Sequence, residues 1–276
     1  MSRRTVIGGQ AAICGIDDTP PISQKRYITK ARTLTPRDRH ATFGRTSASR
    51  QLRSTSMTLS CFDLAAFRNT PLITEPFQYL IVSGFVREDA RSGINTDYPQ
   101  IAGGGSFPVA QLAFGPRFKQ MLDELDGEEF RDAFEEKFGL DLSGRPTTTT
   151  VRGQCSSKDG RIHTDSLSKI ITVLIYMNPA WEHGGGRLRL LRSADNLDDV
   201  LAEVPPVEGT LLAFKRANNS WHGHKPFVGE RRVIQFNWVT SEGDRRMAML
   251  RHHLSAPFKR IFGTLRAGRT PPPRLS

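Results

Sequence analysis

The sequence contains few cysteines and no long apolar run. Only three of its 276 residues are cysteines, Cys14, Cys61 and Cys155, and their spacing matches no metal-binding motif. Scattered thiols of this kind are typical of a reducing compartment, so we predict a cytoplasmic protein. No stretch reaches the roughly eighteen apolar residues of a transmembrane helix, and the first residues lack the apolar segment of a secretory signal. The sequence therefore predicts neither a membrane contact nor secretion.

Acidic residues are scarce at both ends of the chain. The formal net charge is +11, but residues 1–56 carry 11 basic and 3 acidic residues, and residues 245–276 carry 8 basic residues and no acidic one. The central residues 57–244 carry 20 basic and 25 acidic residues. Because the central part is acidic overall, we do not expect it to bind nucleic acid through a basic face.

Apolar periodicity is missing from the N-terminal part. Residues 1–56 are rich in Arg, Ser, Thr, Pro and Gly, and such a segment buries too little apolar surface to offset the entropy lost on ordering. We therefore predict a disordered basic extension over residues 1–56, with Met57 as an alternative start. A folded domain is predicted over residues 57–256, and a basic, proline-rich tail over residues 257–276.

Short apolar runs separated by turns dominate the rest of the sequence. They predict strands at residues 77–84, 146–152, 169–178, 187–191 and 233–239, and a turn that leads into a strand over residues 207–214. Helices are predicted at residues 86–91, 109–125, 128–138 and 245–254, and a short acidic helix or loop at residues 194–201. This order predicts an α+β, mostly β fold: a double-stranded β-helix, or jelly roll, with helices packed on one sheet.

Two metal-capable side chains stand directly before an apolar strand. His163 and Asp165 are two residues apart, so in an extended chain they point the same way. An imidazole and a carboxylate on one face supply two ligands of a 2-His-1-carboxylate iron site, which leaves positions open for a co-substrate and O2. Such a triplet is common by chance, so the prediction depends on a third ligand from elsewhere in the chain.

Candidates for the third ligand occur about sixty residues downstream. His222 and His224 stand in a turn between two apolar runs, and Arg231 and Arg232 precede the second run. The order of a histidine, a carboxylate, a distant histidine and then an arginine at the start of a strand is far more restrictive than any single piece.

These motifs together resemble the Fe(II)/2-oxoglutarate-dependent dioxygenase superfamily, specifically its prolyl-4-hydroxylase-like branch. The resemblance covers roughly residues 75–240. The matching residues are His163-x-Asp165, Tyr176-x-Asn178, Gly185-Gly186-Arg187-Leu188, His222 followed by Pro226, and the strand from the arginines to Trp238.

The resemblance implies an activity and a set of cofactors. It implies oxidative decarboxylation of 2-oxoglutarate to succinate and CO2, coupled to hydroxylation of an unactivated C–H bond of a prolyl, amino-acid or small-molecule substrate. Fe(2+), 2-oxoglutarate and O2 are the expected cofactors and co-substrates, and L-ascorbate is the expected reductant by analogy with this branch. The expected partner is a small-molecule or peptidyl substrate.

The resemblance also implies residue roles at the metal. His163, Asp165 and His222 are the expected catalytic metal ligands. His224 shares a strand face with His222 and is the rival third ligand, but its distance from the arginines along the chain is shorter than the family keeps, so His222 is favoured.

A cation and a phenol are expected to bind 2-oxoglutarate. Arginine is suited to its distal carboxylate because the guanidinium is always charged and offers forked donors. Strand parity groups Arg232 with apolar residues that suit a barrel interior, and a count back from the strand tryptophan also favours Arg232, whereas a count from Pro226 gives Arg231. Tyr176 stands at the family's position for a phenol that bonds the same carboxylate.

Three other functions are compatible with parts of the pattern. A nonenzymatic jelly-roll binding module would keep the fold without needing the metal ligands and the arginine. A nucleic-acid base oxygenase would use the basic ends as arms, but no aromatic stacking platform is evident. A hydrolytic zinc site could use the same ligands, but no glutamate is placed as a general base.

Overall fold

The computed structural model of this chain describes residues 59–251. The predictions for residues 1–56 and 257–276, and Cys14 with them, lie outside this range. Within it, no helix combines the length and the apolar character that crossing a bilayer requires.

The described residues form a mostly β domain with helices near its N-terminal side in sequence. The α-helices are α1 (Leu64–Asn69), α2 (Glu88–Thr96), α3 (Pro116–Leu125) and α4 (Glu128–Phe138), with a 3₁₀ turn at Val109–Gln111, and residues 242–251 are also helical. The strands are β1 (Tyr79–Val82), β2 (Phe107–Pro108), β3 (Thr147–Cys155), β4 (Lys169–Tyr176), β5 (Leu188–Leu191), β6 (Val200–Val204), β7 (Leu211–Lys215), β8 (His222–His224) and β9 (Gly229–Val239).

Antiparallel pairing arranges these strands in two sheets. Six strands form the larger sheet in the order β1-β7-β4-β9-β3-β2, and three form the smaller sheet in the order β6-β5-β8. A further bridge joins His163 to His222 in β8. Two antiparallel sheets with neighbours that are not consecutive in sequence are typical of a jelly roll. This arrangement confirms the predicted fold class, although the described strands do not close into a barrel.

The two faces of the larger sheet are buried against different partners. In β4, Ile171, Val173 and Ile175 pack against the helices, whereas Tyr176 packs against residues of the smaller sheet such as Leu190. This alternation follows from the two-residue period of a strand. The helices therefore cover one face of the larger sheet, as predicted, and the other face is left to enclose a site.

Aromatic rings dominate the core between the helices and the larger sheet. Phe130 in α4 is fully buried. Its ring centroid lies 4.6 to 6.3 Å from those of five other rings, Phe62, Phe85, Phe134, Phe236 and Trp238. Contacts at such distances add to the stabilisation that comes from apolar burial.

Phe130→Ala is therefore expected to lower the free energy of unfolding by about 3–5 kcal/mol, because it removes a buried ring and leaves a cavity. Phe114→Ala is the matched control, since Phe114 is only half-buried at the edge of the same core. Urea unfolding followed by circular dichroism measures both. Equal losses in the two variants would contradict a core centred on Phe130.

The structure departs from the sequence-based prediction at several elements: α1 and β2 were not predicted, and β8 replaces the turn predicted around His222. Residues 194–201 were predicted as a helix or loop, but β6 begins at Val200; its side chains are mostly half-exposed, so the segment lacks a strong apolar signal. The helix predicted over 109–125 is a short 3₁₀ turn followed by α3, which begins at Pro116 because proline suits the first helical turn. The last strand begins at Gly229 rather than at residue 233, so it includes both arginines.

Candidate metal and co-substrate site

Backbone pairing brings two histidines side by side. The N–H of His163 donates to the carbonyl of His222, and the N–H of His222 donates back, both at 3.0 Å. Residues that exchange both backbone hydrogen bonds are directly opposite each other, so their side chains project on the same side. The centroids of the two imidazole rings are 4.4 Å apart.

Asp165 completes a cluster of three side chains. It lies two residues after His163, and its side chain is buried. One potential ligand atom from each of His163, Asp165 and His222 lies within 4.8 Å of the other two. Among the described residues, this is the group of histidine, cysteine and acidic side chains that could hold a metal ion.

The hydrogen bonds of both histidines leave one ring nitrogen available as a ligand. Nδ1 of His163 lies 2.9 Å from the carbonyl oxygen of Arg161, and Nδ1 of His222 lies 2.9 Å from that of Ser220. A carbonyl oxygen only accepts, so each Nδ1 carries the proton. With the proton on Nδ1, Nε2 is the ring nitrogen that can present a lone pair to a metal ion.

Electrostatics favour the charge states of a metal site. Burial opposes ionisation of Asp165, but the charges of Lys169 and His222 and hydrogen bonds from Lys169 and Thr172 outweigh it and lower the pKa to about 2. Burial lowers the pKa of His222 to about 4, although the charge of Asp165 acts in the opposite direction. Near neutral pH the site therefore offers a carboxylate and a neutral imidazole.

A cavity of about 160 Å³ opens next to the three side chains. This volume is roughly ten times the ~10–15 Å³ that a single water needs, so a small molecule fits. Its apolar lining comes from Leu174, Leu188 and Val233. Its other polar lining residues include Thr150, Arg152, Asp159, His224, Arg231 and Gln235.

Arg231 is the buried cation of this cavity. Its residue is only 5% exposed, and its Nε donates to the carbonyl of Gly186 at 2.8 Å. No ion pair joins it to a carboxylate of the described residues, whereas Arg152 in the same cavity is paired with Asp159 at 2.9 Å. A buried guanidinium without an acidic partner is costly unless an anion binds it.

Tyr176 lies beside this arginine. The guanidinium carbon of Arg231 is 5.4 Å from the centre of the Tyr176 ring. The Tyr176 hydroxyl is buried and finds no acceptor for its proton among the described residues. Burial raises the pKa of Tyr176, although the charge of Arg231 and a hydrogen bond from it act in the opposite direction. The phenol therefore keeps its proton and can donate a hydrogen bond to an anion.

Arg232 lies outside the cavity, so the expectation that it faces the interior is wrong. Its guanidinium pairs with Glu230, contacts Asn95 and lies over the ring of Tyr98. The strand parity itself is as predicted, but the apolar face that Arg232 shares is the one covered by the helices. The site occupies the opposite, more polar face of the larger sheet, which includes Arg231.

Asn178 fixes the backbone beside the two arginines. Its side-chain oxygen accepts the N–H of Arg232 at 2.6 Å, and its amide nitrogen donates to the carbonyls of Pro206 and Arg232. These bonds hold the start of β9 against the end of β4, and thereby hold Arg231 near Tyr176.

His224 lines the cavity but is not part of the cluster of three. Its Nδ1 lies 2.9 Å from the carbonyl oxygen of Lys225, and its N–H donates to the carbonyl of Gly160 at 3.0 Å. Burial, followed by the charge of Arg231, lowers its pKa to about 4. Of the two rival histidines, the structure groups His222 with His163 and Asp165.

Gly160 allows the turn before His163 to approach β8 closely. Its φ is +91°, and a Cβ there would lie 2.4 Å from the carbonyl oxygen of His224.

Gly160→Ala is therefore expected to lower the free energy of unfolding by about 1–3 kcal/mol more than Gly144→Ala. Gly144 is the matched control because its φ is also positive, at +66°, but nothing lies within 4 Å of a Cβ there. Urea unfolding tests this, and equal losses would mean that the close approach is unimportant.

Sequence reasoning missed two residues that contact Asp165. Lys169 donates to Oδ1 at 2.7 Å and Thr172 donates to Oδ2 at 2.6 Å. The strand period does indicate Thr172, since it places this residue on the face of Tyr176. The sequence contains no such signal for Lys169, because the direction of its side chain depends on a shift in the pairing of β4 with β9 between Lys169 and Ile171.

Comparisons with known proteins agree with the sequence resemblance. Residues 153–240 match the family model described as the 2OG-Fe(II) oxygenase superfamily, and this range includes all the candidate site residues. Over these residues the match agrees with the superfamily that the sequence motifs resemble. No curated protein matches the chain significantly.

Several solved structures are similar in fold. A prolyl-4-hydroxylase from Pseudomonas putida is 18% identical, with 64% of this chain and 92% of that chain covered and a TM-score of 0.45. The viral collagen prolyl hydroxylase of Paramecium bursaria Chlorella virus-1, in complex with 2-oxoglutarate, is 15% identical, with 59% and 96% covered and a TM-score of 0.41. A prolyl hydroxylase from Trichoplax adhaerens, bound to a peptide of hypoxia inducible factor, is 17% identical, with 61% and 86% covered and a TM-score of 0.41.

Proposed function

We propose that this protein is an Fe(II)- and 2-oxoglutarate-dependent dioxygenase that hydroxylates an unactivated C–H bond of a prolyl, amino-acid or small-molecule substrate. One observation carries the proposal. Two imidazoles and a carboxylate converge within 4.8 Å, and the same cavity contains a buried arginine that has no acidic partner among the described residues.

The three converging side chains would hold the iron. His163 and His222 would bind through Nε2, since their Nδ1 atoms are engaged with carbonyls, and Asp165 would bind as a carboxylate. Three protein ligands leave positions for a bidentate 2-oxo acid and for O2. When bound, iron and 2-oxoglutarate supply the oxidising chemistry, in which decarboxylation to succinate and CO2 is coupled to hydroxylation of the substrate.

Arg231 and Tyr176 would hold the distal carboxylate of 2-oxoglutarate. The guanidinium offers two parallel donors that match a carboxylate, and the Tyr176 hydroxyl offers a third donor. Arg232 is not proposed for this role, because its guanidinium lies on the helix side of the sheet.

Apolar walls would strengthen this binding. Leu174, Leu188 and Val233 line the cavity. Such walls exclude water, and an ion pair in a poorly solvated pocket is stronger than the same pair in water. The protein would thus fix both ends of the co-substrate and leave the open side of the metal to O2 and the primary substrate.

An anaerobic titration tests the proposal. Adding 2-oxoglutarate to the protein with Fe(II) is expected to produce the weak charge-transfer band of a 2-oxo acid chelated to iron. A zinc hydrolase would give no such band, and a nonenzymatic binding module would give no succinate. With air and ascorbate admitted, CO2 release is then measured against a panel of prolyl peptides and free amino acids, and substrate-stimulated release identifies the substrate class.

A further inference from the structure

The two oxygens of Asp165 have chemically different partners. Oδ1 accepts from the ammonium of Lys169 at 2.7 Å, and Oδ2 accepts from the hydroxyl of Thr172 at 2.6 Å. One partner is a cation and the other is a neutral hydroxyl. Both lie in or at the start of β4, on the side of the strand that faces the candidate metal ligands.

A β-bulge directs Lys169 toward Asp165. In a regular strand Lys169 would share the face of Ile171 and Val173, which pack against the helices. The pairing of β4 with β9 shifts between Lys169 and Ile171, so Ile170 is an extra residue there. Bulges of this kind redirect side chains near active sites, and this one turns Lys169 to the face of Thr172.

Thr172 lies in a buried polar cluster. Its hydroxyl lies 3.1 Å from the side-chain oxygen of Asn237 in β9, and the Asn237 amide donates to Thr148 in β3 at 3.0 Å. All three residues are buried. A hydroxyl has one proton, and its shorter contact is with the charged carboxylate of Asp165. The contact with Asn237 is then not a hydrogen bond, and Thr172 is held instead by its fully buried position in β4, between β7 and β9.

We propose that the two partners of Asp165 act in opposite directions on metal binding: Thr172 is a positioning residue that orients the carboxylate for the metal, whereas Lys169 is its counter-ion in the metal-free protein and competes with the metal. This inference rests on the proposed iron site. It assigns Lys169 a role in the loading of that site rather than in the reaction.

Simple electrostatics give the direction of each effect. The ammonium of Lys169 is 18% exposed in its side chain and the Asp165 carboxylate is 7% exposed, so they form a largely buried ion pair. Without Lys169 the buried carboxylate has no counter-ion, which destabilises the metal-free protein. With a divalent cation at Asp165, the same ammonium instead repels it at short range in a poorly screened environment. Removing the lysine therefore weakens the metal-free fold and strengthens metal binding.

The experiment compares two pairs of variants in the full chain. Lys169→Met removes the charge and Lys169→Arg keeps it, while Thr172→Val removes the hydroxyl and Thr172→Ser keeps it. Affinity for Co2+ alone, as a stand-in for Fe(II) that air does not oxidise readily, is measured by calorimetry without 2-oxoglutarate. Thermal unfolding is recorded for each protein with and without Co2+.

The proposal predicts that loss of the Lys169 charge and loss of the Thr172 hydroxyl change the affinity for Co2+ in opposite directions. Lys169→Met is expected to bind Co2+ about tenfold more tightly than the unsubstituted protein. It is expected to unfold at a lower temperature without metal, and added Co2+ is expected to raise its unfolding temperature by more than that of the unsubstituted protein. Thr172→Val is expected to bind Co2+ about tenfold more weakly. Lys169→Arg and Thr172→Ser are expected to behave like the unsubstituted protein.

Two outcomes would overturn it in distinguishable ways. Unchanged or weaker Co2+ binding in Lys169→Met, with normal binding by the unsubstituted protein, would reject the competition and leave the proposed function standing. Absence of Co2+ binding by the unsubstituted protein would reject the metal site itself, and this inference with it.

Discussion

His222→Ala is expected to reduce succinate formation from 2-oxoglutarate to background, whereas His224→Ala is expected to leave most of it. The two residues are two positions apart in β8, and both are buried and line the same cavity. Only His222 belongs to the cluster whose ligand atoms lie within 4.8 Å of one another. Loss of a direct ligand is expected to weaken metal binding by more than the ~10–100-fold that is typical of losing an outer partner of a metal ligand.

Anaerobic Fe(II) binding and succinate formation, measured on both variants, check this prediction. The comparison controls for general damage, since each substitution removes one buried imidazole from the same short strand. Equal losses in the two variants would contradict the assignment, and a larger loss in His224→Ala would make His224 the third ligand.

Arg231→Ala is expected to raise the KM for 2-oxoglutarate by about 100-fold, while Arg232→Ala is expected to change it little. Each hydrogen bond between charged groups contributes about 1.5–3 kcal/mol, and about 1.4 kcal/mol corresponds to a factor of ten. Loss of the forked contact with the distal carboxylate therefore predicts an effect of this size. Arg232 pairs with Glu230 outside the cavity, so its loss removes no contact with the co-substrate.

Steady-state turnover at varied 2-oxoglutarate concentration measures the two KM values. Arg231→Lys is a useful third variant, because it keeps the charge and removes the forked geometry, and we expect an intermediate KM. Thermal unfolding of each variant reports whether the fold is kept. A larger KM change in Arg232→Ala than in Arg231→Ala would mean that the co-substrate binds elsewhere.

Local rules predicted the parts of the site that depend on neighbouring residues. The two-residue period of an extended chain placed His163 and Asp165 together. The same rule correctly put Arg231 and Arg232 on opposite faces of β9. These predictions succeeded because side-chain direction in a strand depends mainly on position within that strand.

The prediction that Arg232 faces the cavity failed for a physical reason. Both faces of the larger sheet are buried, so an apolar face does not by itself identify the interior that holds the site. The more apolar face, with Phe236 and Trp238, packs against the helices. The face with Arg231, Gln235 and Asn237 is more polar because it surrounds charged groups. Polarity, rather than apolar character, was the signal that could have assigned Arg231.

Contacts between distant parts of the chain could not be predicted from local sequence. The pairing of residue 163 with residue 222 joins segments about sixty residues apart, and no periodicity within either segment specifies it. The bulge at Ile170 likewise depends on how β4 registers against β9. The contacts of Lys169 with Asp165 and of Arg232 with Asn95 therefore became visible only in the folded structure.

The paired backbone of the two histidines links metal occupancy to the exchange of individual amide protons. Each of these amides is protected by the hydrogen bond to the other residue's carbonyl, and it exchanges with solvent only when the bridge opens. Opening the bridge also separates the imidazoles, so a cation held by both rings would oppose it. Amide exchange at positions 163 and 222 would then slow on metal binding. The exchange rates of these two protons would therefore report the fraction of protein with metal bound, without substrate or turnover.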